Sequence, residues 1–475
     1  SEMELFNEEQ IHKFLELNLP GPAEVERTEA FIAKTFDLKS LAPRPVLLEM
    51  IVASAPSLAV AGGEVTPAKL YEHYLGTWLR DRSGGHLKTT PEQRWKLLQR
   101  LAFELWGREQ HRIHYSKLPE LLEALPEALR RGVDHVRIDL ELRTAAFLTR
   151  TSDGYYSFSH KSFREFFLAR HIADGLASNW AAFADALNTA PITPEAFEFL
   201  YDTLASTRPR ETIDSATHLI LTSDYRRGLS ENALRLAYHF ARRAAKGDIE
   251  KVAAAMRPFV PLKAKLEGAQ LAGETFDGAW LQGALLTGAD ARNASWVRAN
   301  LRSIRAVGCR FDGGCFDETD LTEAFLNGAN FEHSHGTRTR FANAILASAR
   351  LAVSRWGDGE FEGAVLSASD LHAARFVKTN FAGCAANDVR AEGAVFVDSI
   401  SPPRQTSTRP DVPRPQVGHY GPVNGCAFSP DGALLASAGH DTRVCIWDSR
   451  SGALLRECLG HGDSAIACAF SPDGV

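Results

Sequence analysis

The sequence lacks several features that would assign it to a common class of protein. None of its seven cysteines forms a CxxC pair, so neither a zinc ribbon nor a disulfide framework is indicated. The longest apolar stretch, Val46 to Ala61, is interrupted by Glu49 and Pro56 and is not a clean span of about 20 residues. The amino terminus shows no signal peptide. We therefore expect a cytoplasmic protein without a membrane partner, since free thiols persist in a reducing compartment.

Strong charge of either sign is also missing. The 475 residues carry a net charge of −6, which gives no global basic field for nucleic acid. Hydrophobic residues make up 44% and charged residues 24%, the balance of a folded protein. At about 100 to 200 residues per domain, this length predicts roughly three domains.

A strict repeat occupies the middle of the chain. In steps of five from Leu266 to Phe396, 22 of 27 positions are Leu, Phe or Trp. Two residues before each of them, 24 of 27 positions are Ala, Gly, Ser, Thr or Cys. A period of five fits neither a helix nor a strand, so each pentad must form one side of a coil that turns corners. Both columns are expected to point inward, and Cys309 and Cys384, in the small column, are interpreted as packing residues.

These pentads, such as GADAR and NGANF, resemble the pentapeptide-repeat family. The resemblance implies a right-handed quadrilateral β-helix over residues 262–398 with four pentads per coil. The expected role is a rigid spacer or platform. Mimicry of DNA toward topoisomerases, known for some members, is the alternative. Between residues 262 and 400 the chain has 14 Lys and Arg against 17 Asp and Glu, which is too balanced for a convincing mimic.

A second repeat follows a linker. Residues 399–417 contain five prolines and no apolar pattern, and we interpret them as a semi-extended linker. In residues 418–475, Gly418-His419 recurs as Gly460-His461, an offset of 42 residues. This spacing and the closing Trp447-Asp448 resemble WD repeats, the four-stranded blades of β-propellers.

The WD resemblance implies a structural hydrogen-bonded tetrad of His419, Ser437, Asp441 and Trp447. One blade and the start of a second make an incomplete propeller, so we expect the sequence to be a piece of a longer protein. We expect the propeller to bind a protein partner or a ligand.

The first 260 residues are helical in pattern. Two amphipathic helices are predicted, one with an apolar face of Leu97, Leu98, Leu101 and Leu105 and one with a face of Leu234, Ala237, Tyr238 and Ala241. Gly247 is placed to stop the second helix. The segment 152–154 predicts a hairpin before a helix near Ser162, with Ser162 and Glu165 as a candidate capping box. We expect Phe163, Phe166 and Phe167 on its buried side. Helices followed by a hairpin and a helix suggest a winged-helix unit.

Three segments in this region resemble the NACHT subgroup of STAND signal-transduction NTPases. They are residues 4–18, 41–51 and 143–173, and the last contains FSHKSFREFFLA, similar to the FxHxSFxEFxxA signature. The resemblance implies a helical lid at 1–60, a winged-helix region at 61–175 and a helical connector at 176–261.

The NACHT resemblance also implies two nucleotide-binding residues. His160 would reach the β-phosphate of bound ADP, and its position before a helix N-terminus suits an anion. Pro45 would line the adenine pocket. The alternatives are a helix-capping histidine and a helix-starting proline.

No GxxxxGK[ST] phosphate loop and no Mg²⁺-binding acidic strand occur in the sequence. We therefore expect that this chain alone does not hydrolyse ATP, although a longer parent would be an ATPase using ATP and Mg²⁺. Direct nucleic-acid binding is not expected, because the candidate recognition helix is rich in Phe.

Two functions remain open at this stage. The first is the regulatory and sensor part of a STAND-type nucleotide switch in bacterial signalling or defence. There ADP would hold a resting state, ATP would drive self-oligomerisation, and the C-terminal repeats would sense a ligand or partner. The alternative is a passive repeat scaffold for protein–protein interaction with a degenerate NACHT remnant.

Overall fold

The computed structural model describes residues 6–34, 48–54, 66–81, 89–108, 111–125, 127, 139, 142, 147–207, 210–403, 419, 423–449, 454–458, 461 and 463–471. The chain divides into two compact units. Unit 1 comprises Ser1–Ile220 and Arg226–Phe240, and unit 2 comprises Leu221–Tyr225 and Ala241–Val475. The domain limits drawn from the sequence stay predictions.

Unit 1 is built mainly from helices. In chain order these are α1 (Glu8–Asn18), α2 (Pro22–Lys34), α3 (Pro67–Asp81), α4 (Pro91–Trp106), α5 (Leu118–Glu123), α6 (Lys161–Ser178), α7 (Trp180–Leu187), α8 (Pro194–Thr207), α9 (Arg210–Thr222) and α10 (Leu229–Ala244), with further helical residues at 48–54 and a 3₁₀ turn at Tyr115–Lys117. Capping boxes start α1 and α4, where Asn7 pairs with Gln10 and Thr90 with Gln93. No helix in the described ranges is both long and apolar enough to span a membrane.

A three-stranded antiparallel sheet lies among these helices. Strands β1 (Ile113–His114), β2 (Leu148–Arg150) and β3 (Tyr155–Phe158) are ordered β1-β3-β2. The predicted hairpin is confirmed, because β2 and β3 pair across a turn in which Gly154 has a φ of 90°. The winged-helix assignment stays a prediction, since residues 128–138 lie outside the described part of the chain.

The core of unit 1 centres on α6, which packs against α4, α7 and α8. Phe163, Phe166 and Phe167 are buried as predicted. The ring of Phe166 lies 5.3 Å from Tyr71 of α3 and 6.0 Å from Trp95 of α4, measured between centroids. Large rings dominate such cores because each buries a large apolar area.

The helix predicted around residue 234 is α10. Leu234, Ala237, Tyr238 and Ala241 are all buried. Gly247 adopts a φ of 77° and its N–H bonds the carbonyl of Arg242, the left-handed ending that glycine favours. In unit 2, α11 (Ile249–Met256) follows.

Pentads in unit 2 form a coil with four sides. Parallel β-bridges join residues 20 positions apart, from Lys265 with Leu285 to Asn380 with Ile400. The bridged residues directly precede the large inward residues. Four pentads per coil are thereby confirmed. Short parallel strands β4 (His335–Thr337), β5 (Arg355–Gly357), β6 (Arg375–Val377) and β7 (Val395–Val397) stack on one side. We call residues 262–400 the rod.

From Leu266 to Phe381 both inward columns are buried apart from the half-buried Glu274, and they include Phe276, Trp296 and Phe341 at 1% exposure or less. Each corner, two residues after the large residue, takes a left-handed backbone, as at Gly268, Arg298 and Val353. Such corners hold 11 of the 36 glycines, since glycine adopts positive φ without steric cost.

The C-terminal residues of unit 2 form a four-stranded antiparallel blade. Its strands are β8 (Val423–Phe428), β9 (Leu434–Gly439), β10 (Val444–Asp448) and β11 (Leu454–Cys458), ordered β11-β10-β9-β8. Beyond it, residues 463–471 run beside β8, where the Asn424 side chain donates to the carbonyl of Ala465 over 3.0 Å.

Candidate functional site

His160 lies at the N-cap of α6. Its Nδ1 accepts the backbone N–H of Ser162 over 3.2 Å and lies 2.5 Å from the Ser162 hydroxyl. The helix therefore begins at Lys161, and the proposed capping box of Ser162 with Glu165 is wrong. The capping role that the sequence left open is present in the structure.

This cap fixes the tautomer of the ring. Because Nδ1 accepts a backbone N–H, a neutral His160 carries its proton on Nε2. An imidazole with Nε2–H can donate a hydrogen bond to an anion. The ring is half-buried at the start of α6, where the helix dipole also favours negative charge.

Behind His160, two charged residues of α6 are held in a low-polarity environment. Glu165 is 2% exposed and accepts a hydrogen bond from the Thr193 hydroxyl over 3.2 Å. Burial raises the pKa of the Glu165 carboxyl. Burial also lowers the pKa of Arg164, whose guanidinium lies 5.0 Å over the ring of Trp106. These contacts anchor the first turns of α6.

Pro45, the second predicted nucleotide-binding residue, lies outside the described residues. Its role stays a prediction.

The four residues of the predicted WD tetrad meet in the blade. His419 Nδ1 lies 3.0 Å from Asp441 Oδ1, and Nε2 lies 2.7 Å from Ser437 Oγ. The indole N–H of Trp447 donates to the same Oγ over 2.7 Å. In a consistent arrangement, Nδ1–H donates to the carboxylate while the serine hydroxyl donates to Nε2. The chain of bonds links the segment before β8 to β9 and β10.

Two further contacts of this network were missed from the sequence. A Cβ on Gly439 would lie 2.2 Å from His419 Nδ1 and 2.4 Å from Asp441 Oδ1, so the tetrad requires glycine there. Buried Arg443 bonds both carboxylate oxygens of Glu457 at 3.1 Å. The run Gly439-His-Asp441 could have indicated the constraint on Gly439, because only glycine leaves room beside a packed polar pair.

The outer surface of the rod is organised in columns of charge. Arg298 and Arg338, one coil to each side, both bond Glu318, and these bonds lower the pKa of its carboxyl. Asp320 likewise bonds Arg340 over 3.0 Å. The column that contains Glu318 alternates in charge from one coil to the next: Arg298, Glu318, Arg338, Asp358, Lys378 and Asp398. Comparing every twentieth residue would have revealed this pattern in the sequence.

Two parts of unit 2 match known families. Residues 279–322 and 315–352 match the family described as Pentapeptide repeats, in eight copies. The rod contains pentapeptide repeats. Residues 413–448 match the family described as WD domain, G-beta repeat, so the chain also contains a WD repeat.

Curated relatives match over limited stretches. Telomerase protein component 1 of Mus musculus is 31% identical over 117 residues, covering 22% of this chain and 4% of that protein. An uncharacterized WD repeat-containing protein of Nostoc sp. is 28% identical over 181 residues, covering 37% of this chain and 11% of that protein. The chain thus spans a small part of either relative's length.

Solved structures of pentapeptide-repeat proteins are similar to part of the chain. Rfr23 from the cyanobacterium Cyanothece 51142 is 14% identical, covering 21% of this chain and 65% of that one, with a TM-score of 0.18. QnrB1, a plasmid-mediated fluoroquinolone resistance protein, is 19% identical, covering 27% of this chain and 70% of that one, with a TM-score of 0.22.

Proposed function

We propose that this protein is an interaction scaffold whose repeats present rigid surfaces to protein partners. The burial of the inward columns of the rod from Leu266 to Phe381 is the main support. Since those side chains are inaccessible to a ligand, the outward columns are the surface that the rod offers. Their geometry is fixed by the coil and by ion pairs such as that of Glu318 with Arg298. The WD repeat adds a second surface of a kind suited to protein binding.

Affinity purification of the tagged chain with quantitative mass spectrometry tests this proposal. The matched control carries Phe341→Asp and Gly439→Ala, which place a charge in the buried rod and a clash in the tetrad. We expect proteins enriched on the intact chain and lost on the control. Equal recovery on both chains would contradict the scaffold function.

Nucleotide-regulated signalling is the second candidate function, and the tautomer of His160 supports it. A bound ADP would supply phosphate oxygens as acceptors, and His160 Nε2–H would donate to one of them. We propose, on the NACHT resemblance, that this bond holds a resting state and that ATP, with Mg²⁺, promotes self-association. Pro45 would line the adenine side. In this scheme the repeats sense the ligand or partner.

A fluorescent ADP analogue tests the nucleotide proposal on the full chain by anisotropy. His160→Ala should weaken binding about tenfold or more, since a hydrogen bond to a charged group contributes about 1.5 to 3 kcal/mol. His114→Ala is the matched control, because His114 Nδ1 accepts the N–H of Ser116 over 3.3 Å in the same cap arrangement. No binding by the unaltered chain, or equal losses in the two variants, would refute the role of His160.

A further inference from the structure

The arginines of the rod are almost all paired. Eight of the eleven between residues 262 and 400 lie within 4.0 Å of a carboxylate, and Arg305 lies 5.6 Å over the ring of Phe325. Arg355 and Arg375 are the exceptions within this fully described segment. Neither side chain has a carboxylate or ring contact of this kind.

These two arginines face each other across neighbouring coils. Arg355 on β5 is directly opposite Arg375 on β6, and His335 on β4 is opposite Arg355. All three side chains are exposed. Parallel strands lie about 4.8 Å apart, so two positive charges stack at close range, an arrangement that destabilises a sheet. We call His335, Arg355 and Arg375 the basic ladder.

The charge around the ladder does not neutralise it. On one side the corner column holds His333, Val353 and Ala373, which carry no negative charge. On the other side it holds Arg338, Asp358 and Lys378, a single carboxylate between two cations, and Arg338 already bonds Glu318. Elsewhere on the rod most charged residues 20 positions apart are opposite in sign, and the like-charged Asp312 and Glu332 each lie within 4.0 Å of an arginine. The ladder therefore keeps an unfavourable repulsion that its own coil does not compensate.

We propose that the basic ladder docks an acidic α-helix of a partner protein. This inference rests on the proposed scaffold function and names the partner's chemistry. Carboxylates three or four residues apart on a helix have Cβ atoms about 5 to 6 Å apart, close to the rise of the ladder. Carboxylates on one face of a β-strand are about 6.6 Å apart, so their spacing does not match the rise of the ladder. Arginine binds carboxylates through paired hydrogen bonds, which fixes the orientation of the helix.

A long polyanion fits the rod less well. Lys and Arg number 14 against 17 Asp and Glu between residues 262 and 400, so the rod as a whole repels an extended phosphate backbone. A short acidic helix contacts the ladder without extending over the rest of the rod, where carboxylates outnumber Lys and Arg. A nucleic acid is therefore the competing class that the experiment must distinguish.

The test uses the full chain and an alanine-based helical peptide with glutamate at every fourth position, labelled for fluorescence anisotropy at low salt. Its glutamine counterpart is the peptide control. We expect saturable binding of the glutamate peptide, with affinity falling at least about tenfold for Arg355→Glu with Arg375→Glu. The paired variant Arg310→Ala with Arg350→Ala removes two cations from the adjacent side and should change affinity little.

Stability provides the second readout. The single variant Arg375→Glu replaces a repulsive neighbour of Arg355 with an attractive one, so its unfolding midpoint should stay the same or rise while peptide binding falls. Lost peptide binding together with a lower unfolding midpoint in Arg375→Glu would overturn the inference. Equal binding of the glutamate and glutamine peptides would overturn it too, as would an equal loss of affinity in the Arg310→Ala with Arg350→Ala variant. Tighter binding of single-stranded DNA than of the peptide would also overturn it.

The scaffold function and the basic ladder fail in different ways. If affinity purification recovers partners that the Arg355→Glu with Arg375→Glu variant retains in full, the scaffold function stands and the ladder inference is wrong. If the intact chain enriches no protein, the scaffold function itself is wrong, whatever the peptide does.

Discussion

At the scale of single residues, His171 gives the clearest dependence on pH. It lies on α6 with its ring 4.8 Å from that of Phe103, and burial, with Arg100 nearby, lowers its pKa to about 4. The unfolded chain takes up a proton near the ordinary pKa of about 6.5, whereas the folded chain does not. Folding stability should therefore fall as the pH drops from 6.5 toward 4.

Between pH 7 and pH 5 this loss should reach about 2 kcal/mol. Urea unfolding of the full chain at both pH values, evaluated for the transition of unit 1 and compared with His171→Leu, measures it. The variant should lose that part of the pH dependence because no imidazole remains to titrate. An identical pH dependence in both proteins would show that the pKa of His171 is the same in the folded and the unfolded chain.

Val353 is a strained corner of the rod. Its φ is 59° and its side chain is 43% exposed, so a β-branched residue occupies the left-handed region without a packing gain. Val353→Gly should stabilise the rod by about 1 kcal/mol, because glycine adopts this conformation freely. Gly288→Ala, at a corner with a φ of 67° and open space around the Cβ, should lower stability by a similar amount. Urea unfolding of the two variants measures both changes in stability. Changes of equal size and the same sign in Val353→Gly and Gly288→Ala would contradict this explanation of the corners.

At the scale of elements, the blade depends on Ser437, whose hydroxyl joins His419 and Trp447. Ser437→Ala leaves two ring nitrogens without this partner in a buried site, which should cost about 1 to 3 kcal/mol. Hydrogen–deuterium exchange of residues 434–448 should accelerate accordingly. Ser449→Ala is the control, because its hydroxyl is exposed and donates to the carbonyl of Gly432, away from the tetrad. Equal acceleration in the two variants would argue against a tetrad that stabilises the blade.

The elements differ in how far the sequence predicts them. The inward columns of the rod follow from periodicity alone, since inward positions recur every five residues and a misplaced large residue would not fit the coil. Its four pentads per coil were implied by the resemblance to pentapeptide repeats. The hairpin and α10 follow from turn and capping residues. The N-cap at His160 did not, because Ser162 is the more usual capping residue and tertiary packing directs Glu165 to Thr193 instead. Gly439 was missed because its constraint comes from His419, distant in sequence.

At the scale of the whole molecule, each unit contains its own aromatic core. Phe166 of unit 1 lies 5.3 Å from Tyr71, and Phe341 of unit 2 lies 4.6 Å from Phe361, between ring centroids. Both phenylalanines are fully buried. A chain with two such cores is not expected to unfold in a single two-state transition.

Calorimetry of the full chain should therefore resolve more than one transition. Truncating a buried phenylalanine to alanine costs about 3 to 5 kcal/mol, through lost contacts and a residual cavity. Phe166→Ala should lower the midpoint of one transition, and Phe341→Ala should lower that of another. If both variants shift one common transition by the same amount, the two cores unfold as one cooperative body. Separate shifts would allow partner binding by the rod to be measured in variants that alter the helical unit alone.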